Sequence, residues 1–424
     1  MLSPAELETL VSPYTGIVSG VSEFLRGPAE PRHRSFGARL ARGASVLHRD
    51  VDEVSGGATR AAAIAEAAER YSACFLPADG IRLCAARELP GAVDPSRFAL
   101  FHEAQYARPG FPFARFDAAT VTTWARGVDL ATGAEAWLPA QLVYLPPDPV
   151  GQPIAYATSS GLAAGVTEAG AVLAGLLELI ERDAFMLAWS NRLSLPLLDW
   201  HDDPELASID RRLFVPTRMH YEAVDASAFF GIPAVIGVVH GPADELGALG
   251  VGAACAPTVG EAFRKALSEA FSVREHVRDS LVEAPESSPA MADDVVTFED
   301  HMRFYGTAER AQLAAFLDAS AERRPTRSVA PLPGRDATAR IRQVLRRLAG
   351  RDVSAYAVDV TAPDVCSAGL HVARVICPEL CQLDVIHRAR FLGGARLYRA
   401  AYTAGLAPRP LALADLNSDP HPFP

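Results

Sequence analysis

The chain has 424 residues, 49% hydrophobic and 21% charged, which is the composition of a globular protein whose core is large enough to fold unaided. Its net charge of −11 argues against nonspecific binding to nucleic acid or to an anionic membrane, because either partner requires a basic surface. No signal peptide and no uninterrupted apolar run of membrane-spanning length is visible, so the sequence predicts a cytoplasmic protein.

The six cysteines are scattered without a repeated Cys-x-x-Cys motif. This spacing indicates neither a disulfide framework nor a structural zinc site. Cys377 and Cys381 are interpreted as ordinary buried thiols.

The beginning of the chain carries few chemical signals. An arginine-rich piece, Arg32–Arg42, is either an edge strand or an adapter segment. A glycine turn follows at Gly56 and Gly57, and Thr59 is the predicted N-cap of the first long helix. Glycine amides before a helix can hold phosphate oxygens, but a simple turn explains these residues equally well.

Two predicted helices, Ala62–Ser72 and Ala171–Ala184, carry one pattern: small residues followed by Glu-x-x-Glu-Arg. Positions i, i+3 and i+4 share a helix face, so each unit places two carboxylates and a guanidinium above small side chains. The residues concerned are Glu66, Glu69, Arg70, Glu178, Glu181 and Arg182. A solvated helix surface would explain one such unit, but two units favour a carboxylate cluster for Mg²⁺ and a nucleotide.

The second of these helices begins with a clear signal, because Thr167 is the predicted N-cap and Glu168 stands in the first turn. Ser160 precedes it in a Thr-Ser-Ser-Gly stretch. Since Gly-x-Ser-x-Gly is absent, we predict that Ser160 forms hydrogen bonds to a nucleotide rather than acting as a hydrolase nucleophile. A third helix after Thr258 carries Glu269 and Arg274.

Alternating apolar residues predict several strands, and the last two of them are expected in a central sheet. The predicted strands are Thr120–Trp124, Gly133–Leu138, Leu142–Leu145, Phe229–Val239, Gly250–Cys255, Ser354–Thr361 and Gly369–Ile376. An amphipathic helix is predicted over Ala337–Leu348. The basic stretch His387–Arg396 is either a solvated turn or a phosphate or dimer contact.

The two Glu-x-x-Glu-Arg stretches, Gly56–Ala73 and Thr158–Ala184, closely resemble the ATP-site motifs of the YcaO family. The similarity extends over most of the chain, and the ending Pro420–Pro424 resembles the Pro-x-Pro-x-Pro tail of azoline-forming members. Two positions depart from the family pattern. Gly56 stands where relatives often have Lys between glycines, and Ser272 stands where they usually have Gln.

The resemblance implies an α+β fold of mixed sheets and packed helices, with the two Glu-x-x-Glu-Arg helices around an ATP site. It also implies an N-terminal segment at residues 1–50, a catalytic domain at residues 51–424, and ATP and Mg²⁺ as cofactors. The implied Mg²⁺ ligands are Glu66, Glu69, Glu178 and Glu181. The implied nucleotide-binding residues are these four with Arg70, Ser160, Arg182, Glu269 and Arg274.

The expected activity is ATP-dependent cyclisation of Cys, Ser or Thr in a ribosomal precursor peptide to thiazoline or oxazoline. The alternatives are thioamide formation, macroamidine-forming cyclisation, and a catalytically silent scaffold, which the two departures favour. Because only about fifty residues precede the first motif, a separate leader-peptide-binding protein is expected. A flavin dehydrogenase and a second copy of the chain, in a homodimer, are further candidate partners.

For the tail, the resemblance implies a position in the active site, with Pro420, Pro422 and Pro424 as catalytic residues. Alternate prolines stiffen a chain at little entropic cost. The α-carboxylate of Pro424, with an ordinary pKa of about 3.5, would be ionised at neutral pH and able to accept a proton. A solvated tail is the alternative.

Overall fold

The structure of the protein is a computed structural model that describes residues 4–27, 30–41, 45–50, 57–77, 79–145, 151–242 and 245–424. The strands are β1 Val18–Phe24, β2 Arg34–Leu40, β3 Ser45–Asp50, β4 Ile81–Ala85, β5 Val121–Asp129, β6 Glu135–Pro139, β7 Leu162–Gly165, β8 Leu197–Asp199, β9 His220–Asp225, β10 Ala234–His240, β11 Leu249–Cys255, β12 Arg323–Pro325, β13 Tyr356–Asp359 and β14 His371–Ile376. The helices are α1 Pro4–Leu7, α2 Gly57–Ser72, α3 Glu103–Tyr106, α4 Ala140–Val143, α5 Glu168–Ser190, α6 Pro204–Leu213, α7 Val259–Glu283, α8 Phe298–Phe304, α9 Ala308–Ala311, α10 Ala337–Ala349, α11 Pro363–Ser367 and α12 Ala395–Thr403.

These strands form three sheets. The first has the order β1-β2-β3, the second β4-β5-β13-β14-β7 with β6 paired to β5, and the third β11-β10-β9-β8-β12. The predicted α+β class is confirmed, and β13 and β14 lie inside the second sheet, as expected for the last two predicted strands. In the described residues, β7 and β11 are edge strands of the second and third sheets.

Helix α5 is the central packing element. It packs against β7 and β14 of the second sheet and against β10 and β11 of the third. Most of its side chains are therefore buried, from Ala171 to Ser190. A helix that is apolar around most of its circumference belongs to the core of a large domain. The glutamates on this helix therefore lie next to buried apolar side chains.

Helices α2 and α7 complete the arrangement on either side of α5. Helix α2 packs against the first sheet and β7, whereas α7 lies across β10 and β11. The three helices that carry the predicted site glutamates therefore meet where the edges of two sheets approach α5. No helix in the described ranges has the length and apolarity to cross a lipid bilayer.

Three predictions about local structure are wrong. The segment Leu142–Leu145 is not a strand, because α4 already begins at Ala140. A short apolar run has no periodicity that distinguishes a buried strand from a buried helical turn. Thr59 is not an N-cap, since α2 begins at Gly57 and the Thr59 side chain is buried inside its first turn. The arginine-rich piece forms the central strand β2 rather than an edge.

The basic stretch His387–Arg396 is used inside the protein. Arg396 forms an ion pair of 2.7 Å with Asp183, which is fully buried on α5. Arg390 donates to the carbonyl oxygen of Asn417 at 2.7 Å. Two of its guanidinium groups therefore hold α5 and the C-terminal segment, and the solvated-turn interpretation does not apply to them.

Candidate nucleotide and magnesium site

Four glutamates from three helices face one cavity of about 700 Å³. Glu66 comes from α2, Glu178 and Glu181 come from α5, and Glu269 comes from α7. The cavity therefore joins both Glu-x-x-Glu-Arg units and the third predicted helix, as the sequence anticipated. Its volume is in the range of small-molecule and cofactor sites.

Local sequence sets the start of the two longer helices. The Thr167 hydroxyl accepts a hydrogen bond from the Gly170 amide at 3.0 Å, so the predicted N-cap of α5 is confirmed. Thr258 caps α7 in the same way through the Glu261 amide at 3.2 Å. Such caps contribute about 1 kcal/mol each to helix stability.

The small residues of α5 divide between two functions. Ala174 lines the cavity, beside the glutamates of the same helix face. Gly175 instead packs against the turn before β7, where an added Cβ would lie 2.6 Å from the Gly161 carbonyl oxygen. Gly161 itself has a φ of +80°, which favours glycine. This close approach brings the backbone of the turn to Glu178.

Two of the carboxylates accept hydrogen bonds from backbone amides at the edge of the second sheet. The Gly161 amide donates to Glu178 Oε2 at 2.8 Å. The Ala164 amide, on β7, donates to Glu69 Oε2 at 3.1 Å. An edge strand has amides without a neighbouring strand, and here glutamates from α2 and α5 occupy that position.

The edge strand of the third sheet does the same for Glu181 and Glu269. On β11, the Cys255 amide donates to Glu181 Oε2 at 3.0 Å, and the Ala253 amide donates to Glu269 Oε2 at 2.8 Å. Residues 253 and 255 alternate along the strand, so their amides point to the same side. Both sheet edges therefore orient the acidic residues, and the second Glu of each unit is bound by a strand amide.

The two arginines are bound differently. Arg182 donates to the Ser160 hydroxyl at 2.6 Å and forms an ion pair of 2.8 Å with Glu178. Arg70 lies 3.6 Å from Glu66 and 3.9 Å from Glu69, both longer than a good charge-assisted hydrogen bond. Ser160 thus contacts the site through Arg182 and does not line the cavity.

Burial and mutual repulsion make the carboxylates hard to ionise together. Burial, with repulsion from Glu178 and Glu66, raises the pKa of Glu69 to about 8 against the attraction of Arg70. Burial raises the pKa of Glu269 to about 7. Burial followed by repulsion from Glu269 raises the pKa of Glu181 well above its usual range.

These observations fit a divalent cation with a phosphorylated ligand. A cation among the carboxylates would relieve the repulsion, and carboxylate oxygens are the ligands that Mg²⁺ prefers. The Arg182 Nε is buried and has no hydrogen-bond partner among the described residues. The donor set of the cavity therefore consists of oxygen ligands bordered by cationic groups, which suits Mg²⁺ with a nucleoside phosphate.

A model of the protein family described as YcaO cyclodehydratase, ATP- and Mg²⁺-binding, matches residues 54–381, which is most of the chain. The chain belongs to the YcaO family. The cofactors predicted from the sequence, ATP and Mg²⁺, are those of this family. A comparison with proteins of curated function found no match.

Solved structures share the YcaO fold. A heterocyclase in complex with substrate and cofactor is 23% identical with a TM-score of 0.81, over 99% of this chain and 57% of that one. A YcaO protein from Methanopyrus kandleri bound with AMPPCP and Mg²⁺ is 20% identical with a TM-score of 0.60, over 88% of each chain. A chain of the E. coli microcin synthetase McbBCD complex is 12% identical with a TM-score of 0.63, over 97% of this chain and 98% of that one. At these identities the likeness concerns the fold, and the chain spans little more than half of that heterocyclase.

Five of the predicted nucleotide-binding residues do not line the cavity, namely Glu69, Arg70, Ser160, Arg182 and Arg274. The first four contact one another or the lining glutamates, whereas Arg274 is bound elsewhere. Its side chain is buried, with Nε donating to the Gly247 carbonyl oxygen at 3.1 Å and an ion pair of 2.8 Å to Glu245. Arg274 thus ties α7 to the turn before β11. At the position of the usual YcaO glutamine, Ser272 does line the cavity, but its hydroxyl donates to the Ser268 carbonyl oxygen of its own helix at 2.7 Å. Gly56, the other departure, lies outside the described residues.

The C-terminal tail is buried rather than solvated. Pro420 and Pro422 are buried, and Phe423 is only 1% exposed. The Phe423 ring packs 4.7 Å from that of Phe185 on α5, one helical turn beyond Glu181. The prolines do not line the acidic cavity, although their neighbour Phe423 contacts the helix that supplies two of its glutamates.

His421 holds the tail in this position. Its ring stacks on that of His301 at 3.9 Å, and its Nε2 lies 2.8 Å from the Asp384 carbonyl oxygen. The His301 Nδ1 contacts the His421 carbonyl oxygen at 2.9 Å, and the Tyr305 hydroxyl donates to that of Pro420. The alternation of proline with His and Phe therefore buries specific side chains.

Sequence reasoning missed two cationic residues at the site. Lys265 lines the cavity on α7, one turn before Glu269, and that i, i+4 spacing was the available signal. Arg374, on β14, is buried beside Glu178, and burial lowers its pKa to about 10 against the attraction of that carboxylate. Its Nη1 has no hydrogen-bond partner among the described residues. A single Arg inside a predicted strand gave no signal that could reveal this.

Proposed function

We propose that this YcaO protein is an ATP-dependent cyclodehydratase that converts Cys, Ser or Thr of a ribosomal precursor peptide to thiazoline or oxazoline. The observation that carries the proposal is the cluster of carboxylates whose oxygens are oriented by the amides of two sheet edges. Such preorganisation is the main contribution that a protein makes to phosphoryl transfer.

When bound, ATP supplies the phosphoryl group that turns the amide oxygen into a leaving group, and Mg²⁺ neutralises charge on the phosphates. Glu66, Glu69, Glu178 and Glu181 would hold the metal ion. Three of them accept one backbone amide each, so their carboxylate planes are oriented before any ligand arrives. This orientation avoids part of the entropic cost of assembling the site.

The arginines have separate functions in this proposal. Arg182 orients Glu178 through their 2.8 Å ion pair and is itself held by Ser160. Arg70 makes only long contacts with Glu66 and Glu69, so its guanidinium is able to turn towards a phosphate. Glu269, held by β11, would border the nucleotide opposite Glu66.

We further propose that the tail takes part in the reaction. The attacking Cys, Ser or Thr side chain must lose its proton as it bonds to the carbonyl carbon. An ionised carboxylate at Pro424 is able to accept this proton. Burial of Phe423 against α5 supports a tail that is positioned by the same helix as Glu178 and Glu181.

The remaining partners are proposals as well. A precursor peptide is the substrate, and a separate protein captures its leader. Similarity of the fold to a chain of the McbBCD complex supports assembly with other proteins. A homodimer and a flavin dehydrogenase that oxidises the rings complete the proposed set.

The activity is tested by measuring phosphate release from ATP with and without candidate precursor peptides, followed by mass spectrometry of the peptide. Azoline formation predicts the loss of one water per modified residue together with peptide-dependent phosphate release. Thioamide formation instead adds the mass difference between sulfur and oxygen. Absence of phosphate release with every peptide and candidate partner protein would leave the scaffold as the better description.

The tail is tested by appending one residue after Pro424 and, separately, by deleting residues 420–424. We expect either change to lower the rate of cyclodehydration by about a hundredfold, the lower range for loss of a general base. ATP binding should be unchanged because the glutamates are not altered. A C-terminally extended protein that cyclises its substrate at the unmodified rate would exclude a catalytic carboxylate at Pro424.

A further inference from the structure

A second group of metal-ligating side chains lies on the third sheet and does not line the acidic cavity. His220 is the first residue of β9 and His240 the last of β10, and the two are paired directly across the antiparallel register. Their rings stack with centroids 5.3 Å apart and planes inclined by 27°. The sheet itself therefore fixes the separation of the two imidazoles.

A carboxylate from another part of the chain completes the group. Asp318 lies in the segment before β12, and its Oδ2 is 2.6 Å from His240 Nε2. The Asp318 side chain is only 9% exposed. One nitrogen from each histidine and one oxygen of Asp318 lie within 4.8 Å of one another, and within the described ranges no other three His, Cys, Asp or Glu residues are grouped so closely.

We propose that His220, His240 and Asp318 bind a divalent transition metal ion of the Zn²⁺ or Co²⁺ type. Two imidazoles and one carboxylate are a common ligand set for these ions, and a fourth position remains for water. Tetrahedral coordination at about 2.0–2.1 Å requires ligand atoms about 3.3 Å apart. Because His220 is exposed, its ring has room to rotate by the small amount needed.

The donor atoms separate this site from the acidic cavity. Mg²⁺ prefers oxygen ligands, so it would favour the glutamates over two imidazoles. A hydrogen-bonded His–Asp pair alone would account for His240 and Asp318. It gives no reason for a second imidazole opposite His240, whereas a metal site requires that third ligand.

The metal ion would fasten the third sheet to the segment that carries Asp318. Two residues earlier in that segment, Phe316 packs against Trp189 of α5 with ring centroids 5.3 Å apart. Metal binding would therefore stabilise the contact between β9–β10 and the helix that carries the site glutamates. Its function is structural in this proposal, and it requires no step in the ATP-dependent reaction.

The test is calorimetric titration of the full-length protein with Co²⁺ in saturating Mg²⁺, after alkylation of the exposed thiols of Cys74 and Cys366. The first variant is His220→Ala, which leaves the His240–Asp318 contact in place. The matched control is His276→Ala, because His276 also faces a carboxylate, that of Glu299 at 3.5 Å, and no second histidine joins this pair among the side chains that the structure describes.

We expect one equivalent of Co²⁺ to bind to the wild type and to His276→Ala alike, with affinity at least about tenfold weaker in His220→Ala. Co²⁺ should also raise the melting temperature of the wild type but not of His220→Ala. If His220→Ala does not fold by circular dichroism, Asp318→Asn carries the same test with the same expected loss. Equal affinity in wild type and variant, or no bound equivalent in the wild type, would overturn the proposal.

Discussion

The two Glu-x-x-Glu-Arg units have the same sequence pattern but different contacts. In the second unit, Arg182 is held by Glu178 at 2.8 Å and by Ser160 at 2.6 Å. In the first unit, Arg70 stays 3.6 Å or more from its two glutamates. The second unit is therefore preorganised, whereas the first retains a guanidinium without a short ion pair.

What the units share is the contact of their second glutamate. Glu69 accepts the Ala164 amide of β7, and Glu181 accepts the Cys255 amide of β11. Each unit thus uses the unpaired edge of a different sheet. The comparison teaches that the repeated motif needs an edge strand beside it, while the arginine is free to take different functions.

The largest effect is expected for Glu178→Gln. Glu178 accepts from both Gly161 and Arg182, and a Gln amide offers only one acceptor oxygen, so one buried donor loses its partner. We expect peptide-dependent phosphate release to fall about a thousandfold, in the range for loss of a preorganised electrostatic group. The loss is measured as steady-state phosphate release in the presence of a precursor peptide that the wild type cyclises.

Glu168→Gln is the matched control, because Glu168 is exposed in the first turn of the same helix. It should retain the wild-type rate. Full turnover by Glu178→Gln would contradict the assignment of the cavity to Mg²⁺ and ATP, even if the fold is intact by circular dichroism.

The next effect distinguishes the two arginines directly. Lysine cannot reproduce the two-sided contact of a guanidinium, so Arg182→Lys should release Glu178 or Ser160 and lower kcat by about a hundredfold. Arg70→Lys keeps a charge that still reaches phosphate and should mainly raise KM for ATP by a few-fold. Equal losses of kcat in the two variants would show that the difference in their contacts has no functional meaning.

Much of this site could be predicted from sequence because helical periodicity is local. Glu66 of α2, Glu178 and Glu181 of α5 and Glu269 of α7 reach the cavity, and Thr167 caps α5 as expected. The hydrogen bonds that the glutamates accept from strand amides could not be predicted, because these bonds depend on which strands lie at sheet edges. Such topology arises from pairings between distant segments.

The exceptions have the same origin. Arg274 follows Glu269 by five residues and so lies on another face of its helix, where its partner Glu245 is supplied by a preceding turn. Arg374 lies near enough to Glu178 to be affected by its charge only because β14 pairs with β7 in the folded sheet. The residue spacing on one helix or strand predicts which side chains share a face of that element. Which residues contact this face depends on how the rest of the chain folds.

A smaller effect is expected from pH. The folded pKa values of Glu69, about 8, and Glu269, about 7, lie above the ordinary value of 4.5. Their contribution to folding stability is therefore fully present below about pH 4.5 and is lost as pH rises through these values, because folding then opposes ionisation. Mg²⁺ requires the ionised carboxylates, so its affinity should rise over the same window, by up to about tenfold per pH unit for each proton released.

Melting temperatures across this window, with and without Mg²⁺ and a non-hydrolysable ATP analogue, measure both trends. In Glu69→Gln the melting temperature should no longer fall near pH 8, because Gln does not titrate. A ligand-free protein whose melting temperature does not fall between about pH 5 and 8 would contradict the raised pKa values.

The smallest effect is expected at Ser272, which belongs to neither unit but lines the same cavity. Its hydroxyl is already used by the Ser268 carbonyl oxygen at 2.7 Å, so it offers no donor to a bound nucleotide. Ser272→Gln introduces the residue usual in the YcaO family and a side chain long enough to reach into the cavity. One added hydrogen bond of about 1 kcal/mol should lower KM for ATP about fivefold and leave kcat unchanged. Ser272→Ala, which removes only the bond to the helix backbone, should keep the wild-type KM. A different outcome is that the wild type releases no phosphate and Ser272→Gln does. The wild type is then a scaffold whose glutamates still bind Mg²⁺. In that case the contrast between the two units concerns binding alone.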